Sequence, residues 1–226
     1  MLKNLINLFF PKACAGCNLF LQENELVLCT TCRYEIPLTN HHNIENNEVI
    51  SRFYGRIPVE FASSLFYFHK KGIVQEMIHK LKYKGHQEIG EAIGYWYAEE
   101  LKNKKEIKNI DVVIPVPLHK KRFKKRGYNQ VTTFGKALAS SLKIEFNETI
   151  LERVIYSNTQ VRKNIIDRSA IADSVFKTTI DAKWHNKHFL LIDDVITTGA
   201  TLESCSRELL KIPGARISIV CMAMTQ

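Results

Sequence analysis

The chain lacks long hydrophobic runs, is short of carboxylates relative to its basic residues, and has only two cysteines outside two tight pairs. No apolar stretch approaches the roughly 18 residues that a membrane-spanning helix requires, so no membrane span is expected. The apolar start, MLKNLINLFF, is interrupted by Pro11 and Lys12. A signal-peptide core of about 7–15 residues has no room to form before them. Pro11-Lys12-Ala13 ahead of Cys14 is also a poor lipoprotein cleavage site, because charged Lys12 stands where a small residue is wanted. These absences predict a cytoplasmic protein.

What is present is basic and locally concentrated. Lys and Arg number 32 against 23 Asp and Glu, a net charge of +9 over 226 residues. His119 to Arg126, HKKRFKKR, carries six of those cations, and the rest of the chain would be near +3 without them. Such clustering points to a polyanion, either a phosphorylated small molecule or nucleic acid, rather than to a diffusely basic surface. Phe123 and Tyr128 interleave with the cations, as single-strand binding by charge and stacking would require. A solvated basic hairpin is the plainer alternative.

Four of the six cysteines form two C-x2-C pairs, Cys14/Cys17 and Cys29/Cys32, with eleven residues between them. That spacing suits a four-thiolate zinc site of ribbon or knuckle type. Four thiolates leave no coordination position for water, so such a zinc is structural. Disulfides fit poorly in a cytoplasmic chain, and a redox C-x-x-C pair wants a βαβ setting that is missing here. Cys205 and Cys221 stand alone and are expected as small core residues.

Around these features the chain divides. Leu2, Leu5, Ile6, Phe9 and Phe10 share one side of a short N-terminal helix. Residues 33–60 turn polar and contain NHHNIENNE, which predicts a solvated connection with His41 and His42 in a loop. Ala62–Phe68 predicts a strand, Gly72–Leu81 and Glu88–Lys102 predict helices, and Lys82-Tyr83-Lys84-Gly85 predicts a basic turn between them. Val112–Val116 and Ile217–Met224 predict buried strands, the first ended by Pro115 and Pro117.

The chain is organised around FLLIDDVITTGATL, residues 189–202. Phe189–Ile192 predicts a strand buried on both faces, followed by an acidic turn at Asp193-Asp194. A small-residue loop, Thr197-Thr198-Gly199-Ala200-Thr201, then opens a helix from Thr201. A loop entering a helix N-terminus presents unpaired N–H groups and the positive end of the helix dipole, an anion site. Paired carboxylates beside it suit a cis-diol, so a ribose 5-phosphate would satisfy both halves. A metal-binding Asp pair or a solvated turn is the alternative.

This stretch resembles the phosphoribosyl-pyrophosphate (PRPP) signature of type I phosphoribosyltransferases. Its order with the four-cysteine module and VIPVPLHKKRFKKRGYNQ resembles the ComF family. Arg126-Gly127-Tyr128-Asn129-Gln130 matches that family's basic element, with Lys124 in place of its first Arg. Thr159-Gln160, Arg168 and Phe176 match a further element, with Ile171 where an Asn often stands.

The resemblance implies an α/β fold with a mostly parallel, phosphoribosyltransferase-like sheet, helices on both faces, and a small N-terminal zinc module. It divides the chain into residues 1–36, a connection over 37–60, and a main domain over 61–226. The implied ligand is PRPP or a phosphoribosyl nucleotide, with Mg²⁺ on the pyrophosphate. Asp193 and Asp194 would take the ribose, Thr197, Thr198, Gly199, Ala200 and Thr201 the 5-phosphate, and Pro115, Val116, Pro117 and Leu118 the pyrophosphate. Lys120, Lys121, Arg122, Phe123, Lys124, Lys125, Arg126 and Tyr128 would contact phosphate or single-stranded DNA. The implied role is in natural transformation, with DNA-uptake or recombination proteins as partners. The implied alternative is an active phosphoribosyltransferase with an unidentified acceptor.

Overall fold

The computed structural model describes residues 12–154 and 175–226. The expected helix over residues 2–10 and the Thr159-Gln160, Arg168 and Ile171 positions lie outside them. Five strands form one sheet: β1 (Phe61–Phe68), β2 (Val112–Pro115), β3 (Glu145–Phe146), β6 (His188–Ile196) and β7 (Arg216–Thr225). Their order is β1-β7-β6-β2-β3, and each neighbouring pair is parallel. β4 (Leu151–Arg153) and β5 (Phe176–Thr178) pair antiparallel in a separate ribbon. Three short helices, α1 (Thr30–Glu35), α2 (Glu48–Ser51) and α5 (Lys105–Lys108), punctuate the connections.

Helices cover both faces because the strand residues alternate between two cores. Val113, Leu190, Ile192, Val220 and Met222 face one core. There they meet α3 (Ile73–Tyr83), α4 (Gln87–Leu101) and α7 (Thr132–Leu142) through Leu81, Tyr97 and Phe134. Val112, Ile114, Phe189, Leu191, Ile217 and Ile219 face the other core, with Leu202, Cys205 and Leu209 of α8 (Ala200–Leu209). A period of two along strands buried on both sides produces this division. Cys205 and Cys221 are fully buried, and burial pushes both thiols up.

Two readings of the sequence change here. Helix α3 runs on through Lys82 and Tyr83, which are therefore not a turn; the chain reverses only at Gly85, at φ +78°. His41 and His42 are buried rather than solvated. His41 lies 3.2 Å through Nδ1 from the Ser64 hydroxyl and edge-on to Tyr67. His42 Nε2 is 3.4 Å from Glu100. Burial pulls both imidazoles below their ordinary value. The segment around them packs on β1, with the Thr39 N–H donating to the Leu65 carbonyl and the Asn47 amide donating to the Ala62 carbonyl.

Candidate functional site

The site grows from the carboxyl end of β6. The strand does not stop before its acidic pair: Asp193 pairs with Cys221, Val195 with Ala223 and Ile196 with Met224 of β7. The predicted acidic turn is therefore strand, because the neighbouring β7 supplies the ladder that keeps the backbone extended. Consecutive strand residues point to opposite faces, so the two carboxylates have different surroundings. Asp193 helps line a small hollow of about 40 Å³ with Thr197 to Leu202. Burial, and then the adjacent Asp194, push its carboxyl up to about 7. Asp194 lies on the α3 side and is 5% exposed. One of its oxygens is 2.8 Å from Lys82 Nζ, and the other accepts from the Gln130 amide at 2.5 Å.

The loop after β6 has the form of an anion cradle. Thr197 and Thr198 are exposed, and Gly199 caps α8 at φ +79°, a conformation that a side chain would strain. Helix α8 begins at Ala200, one residue earlier than the sequence predicts. Its first N–H groups and helix dipole act together at this loop. In front of it, β2 ends at Pro115, opposite Ile192 of β6. Pro115, Pro117 and Leu118 then line a second hollow of about 160 Å³ with Phe123, Asn129, Thr132 and Glu148. The Val116 N–H donates to the Ile192 carbonyl, which fixes this turn beside the acidic pair. The structure thus brings Pro115–Leu118, Asp193–Asp194 and Thr197–Thr201 to one edge of the sheet.

The basic segment is a helix rather than a hairpin: α6 spans Lys120–Arg126. The His119 ring accepts from the Lys121 N–H at its start, and Gly127 ends it at φ +79°. Lys and Arg are good helix formers, and a left-handed glycine just past the end is a common stop. The side chains of Lys120, Lys121, Arg122, Lys124 and Lys125 are exposed and make no ion pair among the described residues. Phe123 is 51% exposed beside them.

Arg126 and Tyr128 differ from the rest of the basic segment. Arg126 lies over the Tyr83 ring at 5.0 Å and donates to the Gln130 side chain. The half-buried Tyr128 donates its hydroxyl to the Leu81 carbonyl, and Asn129 donates to the Val116 carbonyl. Both side chains hold the turn together rather than standing free.

Two residues that sequence reasoning misses belong to this edge. By sequence, Lys82 reads as part of a turn and Arg56 as part of a connection. Arg56 donates to the Thr198 carbonyl at 3.1 Å and pairs with Glu203. Nothing local signals either partner, since the contacts span 112 and 142 residues.

Away from the sheet, the ligand atoms of Cys14, Cys17, Cys29 and Cys32 all lie within 4.8 Å of one another. A tetrahedron with Zn–S of about 2.3 Å has S–S edges of about 3.8 Å, and Cys17 Sγ to Cys29 Sγ is 3.7 Å. The Gly16 and Cys29 N–H groups point at Cys14 Sγ from 3.4 and 3.3 Å. Burial pushes the Cys14 thiol up, but N–H groups of Cys29, Cys17 and Gly16 outweigh it and bring it down to about 6. A Cβ on Gly16 would sit 2.9 Å from Cys32 Sγ, so only glycine leaves the thiols room. The cluster could hold a metal ion such as zinc.

Fold and site together describe an α/β protein with a Thr/Gly loop opening a helix at the carboxyl edge of a parallel sheet and a separate four-cysteine cluster. The chain is a relative of proteins named competence protein F, YhgH and ComFC. It is 31% identical over 126 residues to competence protein F of Haemophilus influenzae, covering 55% of each chain. It is 24% identical to DNA utilization protein YhgH of Escherichia coli K12, covering 66% of each. Competence protein ComFC of Bacillus subtilis is 25% identical, covering 85% of this chain and 82% of that one. The chain thus spans between about half and two thirds of the length of the first two relatives.

Among solved structures, purine phosphoribosyltransferase from Pyrococcus horikoshii is 24% identical with a TM-score of 0.38, over 59% of this chain and 72% of its own. No protein-family model matches the chain. Among the described residues, no helix is long and apolar enough to cross a membrane.

Proposed function

We propose that this protein binds PRPP or a phosphoribosyl nucleotide at the carboxyl edge of the sheet and handles single-stranded DNA in competence. The observation that carries the reading is the Thr197–Thr201 loop, opened by left-handed Gly199 at the start of α8 and flanked by Asp193. The 5-phosphate sits on the N–H groups and hydroxyls of Thr197, Thr198, Gly199, Ala200 and Thr201. The ribose diol meets Asp193, and reaches Asp194 by exchanging with Lys82. Pyrophosphate lies along Pro115–Leu118, where a Mg²⁺ ion bound with it would neutralise its charge.

The exposed cations of α6 then face single-stranded DNA, with Phe123 as the stacking surface. The names of the relatives, which speak of competence and DNA utilization, support this side of the reading. A zinc ion held by Cys14, Cys17, Cys29 and Cys32 would be structural, because four sulfurs would close its coordination.

Calorimetry of PRPP with and without Mg²⁺ tests the ligand. Binding should depend on Mg²⁺ and be lost when Asp193 and Asp194 are both replaced by Ala, with the zinc content unchanged. Each lost hydrogen bond to a desolvated hydroxyl costs about 1–3 kcal/mol. Equal affinity in wild type and double variant would contradict the ribose assignment.

A further inference from the structure

The wall behind the phosphate loop is built by residues 52–56, a stretch with no resemblance to any phosphate motif. Phe53, 1% exposed, closes in from below: its ring lies 3.2 Å from where a Cβ on Gly199 would be. Arg52 donates to the Thr225 carbonyl at the end of β7. Arg56 reaches over the top, with one guanidinium nitrogen donating to the Arg52 carbonyl at 3.0 Å and to the Thr198 carbonyl at 3.1 Å. Its other terminal nitrogen pairs with Glu203.

Glu203 creates the need for this arrangement. It stands in the first turn of α8, where its charge favours the helix but opposes any phosphate bound at the same end. Arg207, one turn on, donates to Glu203 from Nη2 at 2.8 Å and from Nε at 3.0 Å. It also donates to the Arg56 carbonyl at 2.8 Å. Two guanidiniums against one carboxylate leave a net positive charge beside the loop. Hydrogen bonds from Arg207, and then from Arg56, hold the Glu203 carboxyl below its usual range.

We infer that Arg56 is a positioning residue for the phosphate loop: it pins the Thr198 carbonyl and, with Arg207, cancels Glu203 so that the loop accepts a phosphate. The inference rests on the phosphate reading of Thr197–Thr201. It couples the stretch before β1 to the ligand site through charge rather than through direct contact with ligand.

The test is ribose 5-phosphate affinity by calorimetry on the full chain, with thermal melts of each variant. Arg56→Ala should weaken binding about tenfold, in the range of one charge-assisted hydrogen bond, while Arg56→Lys keeps it within about threefold. Adding Glu203→Gln to Arg56→Ala should recover most of the loss, because Arg207 then faces no carboxylate and the net positive charge beside the loop returns. A merely structural role for Arg56 would show no such rescue. Should Arg56→Ala fold poorly, Arg207→Ala on the exposed face of α8 must still weaken binding by a few-fold, again rescued by Glu203→Gln.

Wild-type affinity in Arg56→Ala, or no recovery with Glu203→Gln, would overturn the inference while leaving the loop reading intact. A wild-type chain that binds no ribose 5-phosphate would remove the loop reading and this inference with it.

Discussion

HKKRFKKR and the RGYNQ turn that overlaps its last residue behave as opposites. The five cations ahead of Arg126 stand exposed on α6 without ion pairs among the described residues. Arg126, Tyr128, Asn129 and Gln130 are all engaged, with Tyr83 and Gln130, with Leu81, with Val116 and with Asp194. The first part is a surface available to a polyanion. The second ties α3, the turn after β2 and the acidic strand end into one unit. Charge density alone does not separate these roles; the fold does.

Substitutions sharpen the contrast, and the largest effects should fall on the engaged side. Lys82→Ala removes a cation from nearly buried Asp194, and breaking such a pair costs up to about 3–5 kcal/mol. The remaining Gln130 hydrogen bond places the expected loss near the lower end, read as a fall in the urea midpoint. Retained stability would mean that Asp194 is not held by this pair.

Tyr128→Ala should cost about 2 kcal/mol, less than a fully buried aromatic because the ring is half-buried. On the exposed side, Phe123→Ala should leave stability within about 0.5 kcal/mol. It should weaken single-stranded DNA binding by about 1–3 kcal/mol with the salt slope unchanged. Fluorescence anisotropy across a salt series checks both. Lys124→Ala with Lys125→Ala should flatten that slope by about one to two units, at about 0.7 for each phosphate no longer neutralised. An unchanged slope would take α6 out of the DNA surface.

A pH-dependent effect separates Asp193 from its neighbour. Its carboxyl is raised to about 7, whereas an unfolded Asp ionises near 3.9. Between those values the unfolded chain releases a proton that the native one keeps, so this group's contribution falls as pH rises from about 4 to about 7 and then levels. Asp193→Asn should therefore raise the melting temperature at pH 8 and change it little at pH 4.5. An equal gain at both would show that the carboxyl is not raised.

Much of the architecture is legible from local pattern. The runs at 62–68, 112–116 and 217–224 read as strands and 88–102 as a helix, each within a residue of β1, β2, β7 and α4. The cysteine spacing anticipates the cluster, and Gly199 anticipates the helix start to within a residue. Asp193 and Asp194 read as a turn because carboxylates are poor strand formers, and only pairing with β7 keeps them extended. The helicity of α6 is written in its Lys/Arg composition and Gly127, but its charge dominates the sequence pattern. Lys82 and Arg56 leave no trace, because their partners are brought together only when α3 and residues 52–56 pack against the end of β6.

A crystal structure with PRPP and Mg²⁺ tests the account most directly. The 5-phosphate should lie against the N–H groups of Thr198–Thr201, the pyrophosphate along Pro115–Leu118, and Arg126–Gln130 should keep their present contacts. Density for PRPP elsewhere on the chain, with the Thr197–Thr201 loop empty at saturating ligand, would contradict it.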